Sequence, residues 1–98
     1  MIGVTKRAKQ ELKRILSAKV DNPQAGLRFI SSGPDQFGLS IDIEMPGDQV
    51  VQHEGSKVLL VEHELATRLK GHILDFEDTA EGKNFVLVER ELRNRSKR

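Results

Sequence analysis

The hydrophobic period of this chain changes once, near Pro23, and that change limits what the chain can fold into. Ahead of it, Ala8, Leu12, Ile15, Leu16 and Val20 recur at offsets of 4, 7, 8 and 12, the spacing of one apolar helix face. Thr5 is placed as the N-cap. Asp21-Asn22-Pro23 ends the helix, because the residue before a proline is pushed out of the α region. Beyond it, Leu39, Ile41 and Ile43 alternate with Ser40, Asp42 and Glu44, so one face of a strand is buried and the other is wet. A single amphipathic helix followed by strands implies that the helix lays its apolar stripe on a small sheet.

The rest of the chain extends this pattern. Leu27-Arg28-Phe29-Ile30 begins a strand, and Met45-Pro46-Gly47-Asp48 has the Pro-Gly centre of a type II turn. Val50-Val51 starts a short strand that His53-Glu54-Gly55-Ser56 turns. Val58-Leu59-Leu60-Val61 is apolar throughout, as a strand buried on both faces would be. Residues 64–70 predict a two-turn helix with Gly71 as its C′ residue. Ile73, Leu74 and Phe76, then Phe85 to Val88, read as two strands joined through Thr79 to Gly82. The expectation is a mainly β chain, α+β by content, with one domain over residues 1–89. The basic stretch 90–98 has almost no apolar content and is expected to be a disordered tail.

Composition removes whole classes of chemistry. The 98 residues contain no cysteine, which excludes disulfides, thiolate metal sites and cysteine nucleophiles together. Hydrophobic residues make up 37% and charged residues 32%, so the core must be economical. No apolar run approaches the roughly 18 residues of a membrane span, and Met1 to Thr5 is not a signal peptide; a cytoplasmic chain is expected. The net charge of +1 hides basic ends. Lys6, Arg7, Lys9, Lys13, Arg14 and Lys19 crowd the first segment, and Arg90, Arg93, Arg95, Lys97 and Arg98 the last. Such ends attract phosphates or acidic partners, or simply solvate a helix face. With neither Tyr nor Trp present, stacking platforms for nucleic acid are not expected.

Reactive constellations are missing from the sequence. His53, His63 and His72 lack metal-ligand spacing, so no metal site is expected, and residual binding by histidines and carboxylates is kept as an alternative. Glu62 and Glu64 are expected to share a face of a strand and to meet water. There is no G-x-S-x-G element, Walker loop or G-x-G-x-x-G run. No catalytic residue, and hence no enzyme, is expected. The remaining candidate is the stretch Gly33-Pro34-Asp35-Gln36-Phe37-Gly38, whose glycines permit positive φ and sharp turns. It reads either as a plain connection or as a binding loop held between two strands. A partly exposed Phe37 is expected there.

The order of these elements resembles the HesB/IscA-like domain of A-type iron–sulfur cluster carriers. Thr5 to Leu16 is similar to that family's opening helix. Pro46-Gly47-Asp48-Gln49-Val50-Val51 with Gly55 to Val61 resembles its central hairpin. Leu65 to Gly71, then Ile73-Leu74-Asp75-Phe76 and Gly82-Lys83-Asn84-Phe85, resemble its following passages. The resemblance implies a small distorted β-sandwich or pseudo-barrel with flanking helices, in a family whose members oligomerise. It also implies three cysteine ligands, and all three are gone. Pro34 stands at the first position, and Asn94 and Ser96 stand near the other two. Proline offers no donor atom, and Asn and Ser are poor iron ligands beside thiolate. No cofactor is therefore expected. The implied role is a protein-interaction or regulatory domain, possessing a protein partner or forming a homodimer, with Gly33, Pro34, Asp35, Gln36 and Phe37 as the contact loop. The alternative is phosphate or nucleic-acid binding through the basic termini.

Overall fold

A computed structural model describes residues 2–33 and 36–89. Strand β1 (Gly3–Val4) leads into helix α1 (Lys6–Lys19). Strands β2 (Ala25–Gly33), β3 (Gln36–Ile43), β4 (Gln49–His53) and β5 (Ser56–Val61) follow. Helix α2 (His63–Arg68), β6 (His72–Thr79) and β7 (Gly82–Glu89) complete the order. Two mixed sheets result, one ordered β3-β2-β5-β4 and the other β1-β6-β7. In the larger sheet β2 runs parallel to β5 while the outer pairs are antiparallel. The mainly β, α+β expectation therefore describes the chain.

Helix α1 forms as its period dictates. The hydroxyl oxygen of Thr5 accepts the Ala8 N–H at 3.3 Å, satisfying one donor of the first turn. Ala8, Leu12 and Leu16 are buried and meet Leu27, Phe29, Val58, Leu59, Val61 and Leu74 in one core. Strand β5 is buried on both faces from Val58 to Val61, as its unbroken apolar run predicts. Gly47 takes φ +87° in the turn before β4, and the Asp48 N–H donates to the Met45 carbonyl at 3.1 Å.

Several boundaries differ from expectation. Strand β1 is too short to leave a periodic signal; it pairs parallel with Ile73 and Leu74 of β6. Glu62 and Glu64 do not lie on a strand, because the chain turns helical at His63: Glu62 is the N-cap position and Glu64 sits in the first turn. Both are exposed. Gly71 is left-handed at φ +85° but stands two residues beyond the C-cap Leu69, not directly after it. The six-residue loop 33–38 is shorter than expected. Gly33 still pairs with Gln36 across a register shift, and Gly38 lies opposite Ile30 inside the ladder, where its φ is not left-handed. The expected tail, residues 90–98, lies outside the described residues.

The smaller sheet is fastened to α1 by Asp75. Its carboxylate accepts the Thr5 hydroxyl at 2.6 Å, both ends of the Arg7 guanidinium at 2.7 Å, and the Phe76 N–H at 2.8 Å. The Arg7 hydrogen bonds lead in holding this carboxyl far below the usual carboxylate range. A depressed folded pKa contributes stability that is complete above the unfolded value and is lost as pH falls through the folded one. Asp75→Asn is expected to cost about 1.5–3 kcal/mol at neutral pH, the range for hydrogen bonds to a charged group. Urea unfolding at several pH values checks this: the gap between the two proteins narrows as pH falls below about 4, the unfolded aspartate range.

Candidate functional site: the β2–β3 hairpin end

At the end of the β2–β3 hairpin an aromatic pair fixes the backbone. Phe29 on β2 is buried, only 3% exposed. The Phe37 ring on β3 stacks on it with centroids 4.8 Å apart and planes 13° from parallel. Phe29 lies opposite Leu39, and Phe37 opposite Ser31. Residues opposite one another share a face, so Phe29, Phe37 and Leu39 all look toward the core. Phe37 is only half-buried because β3 is the outer strand of its sheet.

Beside this pair opens a cleft of about 530 Å³ lined by Ser32, Gln36, Phe37, Gly38, Leu39 and Phe85. It lies where β3 of one sheet faces β7 of the other. Phe85 reaches it from β7, packed on its cross-strand neighbour Phe76 at 4.9 Å. Phe85 was not among the sequence candidates. Its alternate-position spacing with Leu87 marks it as inward-facing, but nothing local to β7 reveals a neighbour on β3. The lining combines the apolar side chains of Phe37, Leu39 and Phe85 with the Ser32 hydroxyl and the Gln36 amide.

The other candidates do not converge. Pro34 and Asp35, and the positions Asn94 and Ser96, lie outside the described residues. His53 ends β4 with Nε2 3.9 Å from Glu54. His63 opens α2 in solvent, and His72 opens β6 with Nε2 3.7 Å from Glu89. Among the described residues no three metal-capable side chains gather.

The basic face of α1 is partly consumed by ion pairs. Arg7 binds Asp75, Lys13 binds Glu54 at 3.0 Å, and Arg14 binds Glu11. A second buttress holds the far end of β3. Arg28 on β2 donates to Asp42 at 2.6 Å, to Asp48 at 2.7 and 3.1 Å, and to the Ile43 carbonyl at 3.2 Å. Its guanidinium keeps both carboxyls below their ordinary range.

This fold has solved counterparts. Escherichia coli SufA, described as involved in biosynthesis of iron–sulfur clusters, matches at TM-score 0.62 and 22% identity, over 90% of this chain and 84% of that one. IscA, solved with its 2Fe–2S cluster, matches at TM-score 0.60 and 22% identity, over 91% and 85%. The architecture is thus the HesB/IscA-like fold of A-type iron–sulfur carriers, in a chain without cysteine. No protein-family profile matches the chain. Two sequence relatives do. One, from Cereibacter sphaeroides, is 35% identical over 91 residues, 88% of this chain and 84% of its own length. The other, from Azotobacter vinelandii, is 36% identical over 93 residues, 90% and 85%. Each is described as an uncharacterized protein in the nifU 5′ region, and the chain belongs to their family.

The two stacked rings should separate on truncation. Phe29→Ala removes a buried ring and is expected to cost about 3–5 kcal/mol. Phe37→Ala is expected to cost about 1–2 kcal/mol, from lost stacking and partial burial. Thermal and urea melts of both variants check this ranking.

Proposed function

We propose that this chain is a non-enzymatic interaction domain of iron–sulfur cluster assembly, one that keeps the carrier fold without ligating the cargo. The observation that carries this reading is the coincidence of a HesB/IscA-like fold with a sequence that contains no cysteine. The donor set does not fit a cluster. Ser32 and Gln36 at the cleft offer a hydroxyl and an amide, and the positions that the family resemblance assigns to its ligands hold Pro34, Asn94 and Ser96. Iron–sulfur cargo is held by thiolate, to which histidine is the usual supplement, and the three histidines stand apart.

What the fold retains is a surface. Gly33, Pro34, Asp35, Gln36 and Phe37 form the proposed contact segment, and the cleft behind Phe37 supplies an apolar recess for a partner's side chain. Half-buried aromatic residues beside such a recess are typical anchors of protein contacts. The basic-terminus alternative has less support, since three cations of α1 are already paired with carboxylates. The relatives' genes lie in the nifU 5′ region, so the product of the neighbouring nifU gene is the first protein to test.

Calorimetric titration of the purified chain with that gene product is expected to show binding that Phe37→Ala weakens by about tenfold, equivalent to 1.4 kcal/mol. Binding that is indifferent to Phe37 and to Gln36→Ala would overturn the assignment of the contact to the hairpin end.

A further inference from the structure

Helix α1 carries a polar stripe beside its apolar one. Gln10, Lys13, Arg14 and Ser17 fall at offsets of 3, 4 and 7, so they share one helical face. With His53 and Glu54 they line a cavity of about 330 Å³ between α1 and the β4–β5 turn. All but Glu54 bring a hydrogen-bond donor to it. Glu54 is also the residue with an unusual backbone. His53 pairs with Ser56, which leaves Glu54 and Gly55 as a two-residue turn with φ of +51° and +82°. Hairpin turns of this kind take Asn, Asp or Gly at their first position, because φ is left-handed there. Among the described residues Glu54 is the one non-glycine with a positive φ. Residues held in such conformations gather at ligand clamps and switches.

The Glu54 carboxylate shows which charge the cavity accepts. Its Oε1 accepts the Lys13 ammonium at 3.0 Å and lies 3.9 Å from His53 Nε2. The Lys13 hydrogen bond leads in keeping this carboxyl below its ordinary range, and the charges of Lys13, His53 and Lys6 add to it. Glu54 is thus an internal anion, but a loosely held one. Its side chain is 68% exposed, and exposed ion pairs contribute little. We propose that this cavity binds a phosphate dianion, free or carried by a small monoester, and that Glu54 is the plug the ligand displaces. A monocarboxylate would offer Lys13 only what Glu54 already offers. A phosphate dianion brings more charge and more acceptor oxygens, enough to take the Lys13 ammonium, the Ser17 hydroxyl and the Gln10 amide together. Arg14 is engaged by Glu11 and adds charge to the rim. The cavity shares no residue with the cleft at Phe37, so this site stands apart from the interaction-domain reading.

Nuclear magnetic resonance titration of the isotope-labelled full chain with sodium phosphate tests this, at constant ionic strength and above the second phosphate pKa. The amide signals of Lys13, Ser17, His53 and Glu54 are expected to shift together and saturate, while equal concentrations of acetate leave them in place. Lys13→Gln removes a charged donor and is expected to raise the phosphate dissociation constant by about tenfold. Glu54→Gln removes the plug and is expected to lower it by about two- to fivefold. Lys19→Ala, which removes a cation of the same helix outside the cavity, is expected to change it by less than about twofold. A parallel titration with glycerol phosphate separates the sources. Tighter binding than inorganic phosphate assigns the site to a monoester, and equal or weaker binding assigns it to the free ion. Signals that drift without saturating, an equal response to acetate, or weaker phosphate binding by Glu54→Gln would overturn the proposal. So would a loss with Lys19→Ala as large as that with Lys13→Gln, because the attraction would then belong to the whole helix face.

Discussion

The carboxylate of Asp75 ties the start of helix α1 to the smaller sheet. It stands on β6 of the smaller sheet, receives the hydroxyl that caps α1, and holds Arg7 from the first turn of that helix. The backbone adds to the same joint, since the Thr5 N–H donates to the Leu74 carbonyl at 3.0 Å. With the helix so placed, Ala8, Leu12 and Leu16 reach the apolar side of the larger sheet. Leu74 of the smaller sheet joins the same core, and Phe85 of β7 lines one cleft with Phe37 and Leu39 of β3. α1 shields the side over β5, and β3 lies two strands away from it.

Much of this was legible in the residues. The stripe from Ala8 to Val20, the cap at Thr5, the Pro-Gly turn at 46–47 and the fully buried β5 all appear in the structure as local chemistry predicts. What escaped was long-range or too short to carry a period. Strand β1 is two residues long and exists because β6 offers it an edge. Glu62 and Glu64 flank the start of the helix that residues 64–70 already indicate, which begins one residue earlier, at His63. The loop at 33–38 was over-read because glycine is the usual turn residue. Gly38 instead continues the strand in an ordinary extended conformation. Phe85 belongs to the cleft only through the packing of one sheet on the other, and no spacing along the chain contains that information.

The family resemblance and the residue chemistry bear on different questions. The fold is shared with SufA and IscA, and at 22% identity that likeness speaks to architecture alone. Function in such a scaffold lives in the site grafted on it. Here the grafted chemistry is missing at the level of atoms: no sulfur donor exists anywhere except the thioethers of two methionines, and thioether is a weak ligand beside thiolate. The apolar features at the hairpin end are nonetheless formed. Phe29 and Phe37 stack, Phe85 lines the same cleft as Phe37, and the Arg28 network holds the far end of β3 against the turn at Asp48.

Anaerobic reconstitution of the purified chain with ferrous iron and sulfide tests the central claim most directly. After desalting, the account predicts a colourless protein with iron and acid-labile sulfide far below one equivalent per chain. A stable visible absorption band with stoichiometric iron and sulfide would contradict it, because a cluster would then be held without thiolate.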